Sequence, residues 1–315
     1  MAPIPIMGDG LPQPLLEMLG ADFEVLPWND AADSPALQRA EAIIAYGHPD
    51  IGGEMMDRAP QLKVISNHGV GVDHIDVAAA KQRGIPVGNT PGCLDASTAD
   101  MTMALMLSVA RNVVVGDRYA RGPEFLQFDP AILIGQEVTG SKLGIIGMGR
   151  IGKQVARRAA GFDMQISYHN RRRDTEAEET YGAEYRSFED LLAENDFVAL
   201  NCPLTPETTG LISGPQFEIM QSTAILINMA RGPVVDTDAL YTALTTGQIA
   251  AAGIDVTDPE PLPRGHKLLS LENLVITPHL GSASNRTRER MMRMTVENLH
   301  AGLRGEPLPY PVEPK

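Results

Sequence analysis

Short apolar runs alternate along the chain with stretches whose apolar residues recur at helical spacing. FEVLPW (23–28), AIIAYG (42–47) and LKVISNHG (62–69) read as strands. PALQRAE (35–41) and MMDRAPQ (55–61) read as helical stretches, and residues 72–84 as a helix stopping on Gly84. IPVGNTPG (85–92) is a short strand running into a Pro/Gly turn. One long apolar helix is expected from about Asp95 to Tyr119, followed by the irregular stretch RGPEFLQFDPAILIG (121–135). A second strand–helix series opens at KLGIIGMGRIG (142–152) and continues through MQISYHN, FVALNCP, AILINMA, IAAAGIDV and NLVITPH. A last helix spans about Ser284 to Gly302, and the Pro-rich tail GEPLPYPVEPK reads as extended. Strands alternating with helices predict parallel sheets covered by helices.

The second series is long enough for a domain of its own and lies inside the chain. The closing helix and tail are then free to return to the first series. The expected fold class is α/β: a domain of residues 1–99 and 283–315, and an inserted domain of residues 100–282.

Composition narrows the function classes. Lys plus Arg number 26 against 40 for Asp plus Glu, a formal charge of -14. Phosphate repels such a chain, which excludes general nucleic-acid binding and requires any anion site to be local. Two cysteines, Cys93 and Cys202, support neither a disulfide framework nor a zinc site, and a reduced, cytoplasmic protein is expected. MAPIPIMGDG lacks the pattern of a secretory signal, and MTMALMLSVA (101–110) meets Arg111 too soon to span a bilayer, so no membrane association is expected.

The chemistry starts at the turn after KLGII. Gly147, Gly149 and Gly152 fit GxGxxG, with a strand before and a helix after. The first glycine allows a tight turn, the second lets a pyrophosphate approach the backbone, and the third lets helix and strand pack closely. Arg150 and Ile151 open the helix, whose free N–H groups favour phosphate. In NAD sites the second strand ends in an acidic residue that holds the adenosine ribose. Here ISYHNRRR (166–173) ends in Asn170, Arg171, Arg172 and Arg173. Guanidinium groups bind phosphate in a fork, so this strand end favours the 2′-phosphate of NADP. The alternative is a solvated basic loop offsetting the acidic run DTEAEE.

Three later segments place ionisable residues at strand ends, where ligands of open α/β sheets sit. LINMARGPVVD carries Arg231, AAGIDVTDPEPLP carries Asp255 and Glu260, and LVITPHLGSAS carries His279. An arginine that clamps a carboxylate and polarises a carbonyl, and a histidine oriented by a glutamate, are the parts that reduction of a 2-oxo acid needs. Each residue alone has a structural alternative: an exposed histidine, a surface ion pair, a solvated loop carboxylate.

In order, GMGRIG, NMARG, DPEP and PHLGS resemble the D-isomer-specific 2-hydroxyacid dehydrogenase family, as do GVGVDHID (69–76), NTPG (89–92), STADMTMALML (97–107) and CPLTPETTGLI (202–212). TAD and the Asn-Arg-Arg strand end are most similar to its NADPH-preferring glyoxylate/hydroxypyruvate and hydroxyphenylpyruvate reductases. The resemblance implies two Rossmann-like domains with the active site between them, the substrate domain split by the dinucleotide-binding domain. It implies a homodimer built on the cofactor domain. It assigns Arg231 to substrate binding, His279 to proton donation and Glu260 to pairing with that histidine. Val70 and Gly71 match a loop whose N–H groups hold the substrate carboxylate, and Asp255 matches the residue that fixes the nicotinamide carboxamide. Thr98, Cys202, Pro203, Thr208, Met229, Ala230 and Gly281 fall on cofactor-binding positions, beside the residues of the glycine turn and Asn170 to Arg172. The chain departs from its relatives in the irregular arm, where a tryptophan is usual: its one Trp is Trp28, and Phe125 and Phe128 occupy that region.

The expected activity is NADPH-dependent reduction of a small 2-oxo acid, with NAD(H) used at lower affinity and no metal. Two alternatives stand beside it: an NAD-linked D-lactate or phosphoglycerate dehydrogenase, and a nucleotide-sensing corepressor without turnover.

Overall fold

The structure, a computed structural model, describes residues 2–31 and 34–314. The chain divides into two compact units, Met1–Leu94 with Ser284–Lys315, and Asp95–Ala283. The break precedes the long apolar helix, whereas the sequence reading divides that helix at residues 99 and 100.

The first unit runs β1 (Ile4–Met7), α1 (Gln13–Leu19), β2 (Phe23–Leu26), α2 (Pro35–Arg39), β3 (Ala42–Ala45), α3 (Gly53–Asp57), β4 (Val64–Asn67), α4 (Val77–Gln82) and β5 (Val87–Gly88). Its strands form one parallel sheet in the order β2-β1-β3-β4-β5. Strand β1 was not expected, because prolines on both sides of Ile4 read as a loop. Pro5 lacks an N–H but keeps its carbonyl, which accepts from Glu41 N at 2.8 Å, and Ile6 and Met7 are fully buried.

The second unit runs α5 (Asp95–Ala110), α6 (Val113–Arg121), β6 (Lys142–Ile146), α7 (Arg150–Ala160), β7 (Gln165–His169), α8 (Thr175–Tyr181), β8 (Glu184–Tyr185), α9 (Phe188–Glu194), β9 (Phe197–Leu200), α10 (Gly214–Ile219), β10 (Ile225–Asn228), α11 (Thr237–Thr246), β11 (Ala251–Ile254) and β12 (Leu274–Ile276). These seven strands make a parallel sheet ordered β12-β11-β10-β9-β6-β7-β8. Alternation along the strands sends Leu143, Ile145, Phe197, Ala199 and Ile227 into the core with α5 and α7. Ile146, Val198, Leu200, Leu226 and Ile254 enter the core on the other face. The strand order reverses between β6 and β9, which opens a crevice at their carboxyl ends.

The expected helix over 95–119 is two helices, bent by 58°. Asn112 adopts a left-handed φ of 52° and its amide donates to Leu133 O at 3.2 Å. Ala110 O, where α5 ends, accepts from Gln136 N at 2.7 Å. A Cβ on Gly135 would lie 2.2 Å from that same oxygen, so only glycine lets the arm approach and end the helix. No single helix among the described residues is long and apolar enough to cross a membrane. The two cysteines are not bridged.

The closing helix α12 (Asn285–Leu303) belongs to the first unit and packs on β4. A Cβ on Gly302 would meet Val64 at 2.4 Å, so the helix lies directly on the strand. Ser66 Oγ donates to Thr295 O at 2.8 Å, and Asn298 Nδ2 to Asn89 O at 3.0 Å. The tail continues the sheet edge, with Val312 N donating to Val87 O at 2.8 Å.

His68, just beyond β4, is 8% exposed, and its Nδ1 lies 3.0 Å from Thr295 Oγ1. The Thr295 hydroxyl donates to Met291 O at 2.8 Å, so the ring donates Nδ1–H. Burial, assisted by the charge of Arg288, pushes His68 down to about 4 from 6.5. The unfolded chain therefore takes up a proton on acidification before the folded one does. Stability contributed by His68 is full above its unfolded value of 6.5 and drains as pH falls to about 4. The loss totals about 3 kcal/mol. Urea melts between pH 6.5 and 4 are expected to show a shallower loss of stability for His68→Gln than for wild type; parallel slopes would contradict this.

Candidate active site

In the second unit, the turn after β6 is shaped by three glycines with different jobs. Gly147 has φ of 99°, and a Cβ there would meet Cys202 N at 2.6 Å. A Cβ on Gly152 would meet Gly147 O at 2.3 Å, which holds α7 against the turn. Gly149 has an ordinary φ of -92° and nothing within 4 Å of its would-be Cβ. Neither backbone strain nor neighbours require glycine at 149, and the space beside its bare backbone is open. Helix α7 starts beside it with no side-chain cap, which leaves its leading N–H groups, from Arg150 and Ile151, for an anion. The residues present thus fit a pyrophosphate. The Arg150 guanidinium turns towards Asp95, at 3.5 Å. Burial raises the Asp95 carboxyl, and Arg150 opposes that rise.

Asn170 is engaged with the same turn: Met148 N donates to its Oδ1 at 2.7 Å, and its Nδ2 donates to Met148 O at 3.3 Å. Its amide therefore braces the glycine turn. Arg173 is paired through two nitrogens with Glu178, at 3.0 and 2.8 Å. Arg171 and Arg172 are exposed and make no hydrogen bond or ion pair among the described residues, although the charge of Arg171 helps hold Glu207 below its ordinary value, after the Thr205 hydroxyl and the Glu207 backbone.

The loop after β9 carries Cys202, Pro203 and Thr208. Thr208 Oγ1 donates to Pro203 O at 2.7 Å and accepts from Thr205 N at 2.8 Å, which closes the loop on itself. Burial pushes the Cys202 thiol up to about 11, so it remains a thiol at neutral pH. Neighbouring Asn201 was not singled out in the sequence; both polar atoms of its side chain are buried without a partner.

Strands β10, β11 and β12 bring the ionisable residues together. Asn228 Oδ1 accepts from Ala230 N and its Nδ2 donates to Arg231 O, both at 3.0 Å, which sets the bend through Met229, Ala230 and Arg231. A Cβ on Gly232 would lie 2.0 Å from Thr257 O, so the Arg231 turn presses on the segment leading to Glu260. Asp255, 2% exposed, accepts from Thr277 Oγ1 at 2.6 Å, Leu280 N at 2.7 Å and Gly281 N at 2.7 Å. His279 N donates to Asp255 O at 2.9 Å. These bonds hold His279 at a φ of 57°, a conformation uncommon outside glycine. His279 Nδ1 then meets Glu260 Oε1 at 2.7 Å, and Glu260 Oε2 accepts from Thr257 N at 3.3 Å. A carboxylate on Nδ1 fixes the ring and leaves Nε2 as the end that can exchange a proton with a ligand. Thr98 Cγ2 and Asp255 Oδ2 lie 3.4 and 3.3 Å from the Cβ that position 281 lacks.

In the first unit, Val70 and Gly71 lie on the loop that leaves β4. Gly69 O accepts from Asn67 Nδ2 and Thr90 N, both at 3.0 Å. Val70 O accepts from Asn89 Nδ2 at 2.9 Å, and Gly71 O from Asn67 Nδ2 at 2.8 Å. The carbonyls of this loop are thus occupied from behind. Asn67, Asn89 and Asn228 had no assigned role in the sequence. The available signal was that β4, β7, β9 and β10 all end on or beside an asparagine.

A parallel sheet with a glycine-rich phosphate turn at its switch point, and a histidine–carboxylate pair with an arginine at neighbouring strand ends, define a dehydrogenase-type oxidoreductase. Residues 103–281 match the family described as D-isomer specific 2-hydroxyacid dehydrogenase, NAD binding domain. The glyoxylate reductase of Pyrococcus horikoshii is 44% identical over 306 residues, covering 94% of this chain and 91% of that one. The crystal structure of the TT0316 protein from Thermus thermophilus is 46% identical, covers 98% and 99% of the two chains, and superposes with a TM-score of 0.89. The NADPH-dependent glyoxylate/hydroxypyruvate reductase of Sinorhizobium meliloti, in complex with NADP and malonate, is 30% identical over 99% and 97% of the two chains, also with a TM-score of 0.89. The chain belongs to the D-isomer-specific 2-hydroxyacid dehydrogenase family.

Proposed function

We propose that the protein reduces a small 2-oxo acid of the glyoxylate/hydroxypyruvate type to the D-2-hydroxy acid, with NADPH as the preferred reductant. The observation that carries this reading is the Glu260–His279 pair at 2.7 Å, held in place by the buried Asp255. The relatives named glyoxylate reductase support the substrate class. NADPH, when bound, supplies the hydride. Gly147, Gly149, Gly152 and the start of α7 receive its pyrophosphate, Arg171 and Arg172 its 2′-phosphate, and Asp255 with Gly281 lies at the nicotinamide end. Arg231 pairs with the substrate carboxylate and polarises its carbonyl. In the first unit, the N–H groups of Val70 and Gly71 are proposed to bind a substrate carboxylate. His279 gives the Nε2 proton to the carbonyl oxygen as it becomes an alkoxide, while Glu260 stabilises the ring from Nδ1.

The basic residues of loop 66–74 are His68, which burial pushes down to about 4, and His74, whose Nε2 is engaged by Asn67, and neither arginine nor lysine stands there. That favours an unphosphorylated acid over a phosphoglycerate-type substrate.

A homodimer is proposed through the arm of the second unit. Leu126, Phe128 and Ile134 are 87%, 82% and 78% exposed, and Val114 and Ile134 flank a groove of about 410 Å³ at the end of the sheet away from the glycine turn. Apolar exposure on this scale fits a second copy.

Three measurements test these readings. His279→Asn is expected to lower kcat by at least about a hundredfold with little change in NADPH affinity; wild-type turnover would reject it as the proton donor. The double variant Arg171→Ala/Arg172→Ala is expected to weaken NADPH by about tenfold or more and NADH by far less; equal losses would reject the 2′-phosphate assignment. Leu126→Asp/Phe128→Asp is expected to shift the mass in light scattering from dimer to monomer, and a wild-type protein of monomer mass would overturn the dimer.

A further inference from the structure

In the loop after β4 the acceptors are taken and the donors are not. The carbonyls of Gly69, Val70 and Gly71 are all occupied by Asn67, Asn89 and Thr90. The N–H groups of Gly69, Val70, Gly71 and Val72 meet no acceptor among the described residues. Successive N–H groups left in this way form a nest for an anion.

The amide that does most of this work is Asn67, 1% exposed. Both Nδ2 hydrogens are spent, on Gly69 O and Gly71 O, and Oδ1 lies 3.1 Å from His74 Nε2. Because Oδ1 has no hydrogen, His74 must donate there, which fixes the amide's orientation. No carboxylate or alcohol offers two donors and one acceptor in this geometry. Asn89 is tied down in turn: its N donates to Tyr310 O at 3.1 Å and its O accepts from Asn298, so the C-terminal segment backs the loop.

We infer that Asn67 and Asn89 are positioning residues that aim the N–H groups of residues 69–72 at the substrate carboxylate. They act through the loop and never touch the reacting atoms. This rests on the reading above, in which that loop receives the oxo acid.

The test uses the full-length protein with NADPH and glyoxylate, and oxalate as a non-reacting dianion. Asn67→Asp and Asn89→Asp keep size but set an oxygen against the carbonyls that each amide now holds. Both variants are expected to raise the KM for glyoxylate and the inhibition constant of oxalate together, by about tenfold, the equivalent of one charge-assisted hydrogen bond. The expected kcat and NADPH affinity stay within about threefold of wild type, less than half a hydrogen bond's worth. Asn89 is half-buried and carries the test if Asn67→Asp fails to fold. A purely structural role would instead lower melting temperature, kcat and NADPH affinity alike, and that pattern overturns the proposal. Val70→Pro removes one N–H from the nest itself. If Val70→Pro raises both constants while Asn89→Asp leaves them unchanged, the positioning role fails and the loop's assignment stands. If neither variant moves them, the loop is not the carboxylate site and both readings fall.

Discussion

At the carboxyl end of a parallel strand the backbone must turn away from the sheet without leaving its carbonyls buried and unpaired. This protein meets that requirement by spending side-chain amides on those carbonyls. Asn67 and Asn89 do so after β4, Asn170 after β6, and Asn228 after β10. In two of these turns the same amide also takes a backbone N–H, from Met148 at Asn170 and from Ala230 at Asn228, and so ties both sides of the bend.

The two carboxylates near His279 illustrate how burial assigns work. Asp255 is 2% exposed and accepts three hydrogen bonds from the turn that carries the histidine. It acts as a bracket for the backbone. Glu260 is partly exposed and meets the ring itself. One acid therefore sets where the imidazole sits, and the other sets how it is oriented. Gly232 couples the arginine turn to this arrangement, because only a residue without Cβ clears Thr257.

The sequence marks the glycine turn, Arg231, Glu260 and His279, each after a strand, and the structure shows the turn's close packing and the Glu260–His279 contact. The resemblance, more than periodicity, supplied Val70, Gly71 and the cofactor loops. What escaped had physical reasons. Strand β1 hides behind its prolines, because a carbonyl-only residue reads as loop although it can still accept. Strand β8 is too short to show alternation. The break at Asn112 is set by Gly135 and Gln136 reaching back to Ala110, a contact between residues distant in sequence. Asn170 reads as a phosphate ligand from its position at the strand end, yet its amide faces Met148, a neighbour created only when β6 and β7 pair.

The first sheet is finished by the last part of the chain. Val64 is covered by Gly302, Ser66 and His68 by Thr295, and the edge of β5 by Val312. During synthesis, the strands of the first unit emerge well before the helix that covers them, and the inserted unit emerges in between. The inserted unit has its whole sheet in hand at Ile276 and can collapse while the earlier strands wait. The nascent polypeptide thus carries an uncovered apolar face from its first strands until α12 has been made, which makes that interval the point at which a chaperone has most to shield.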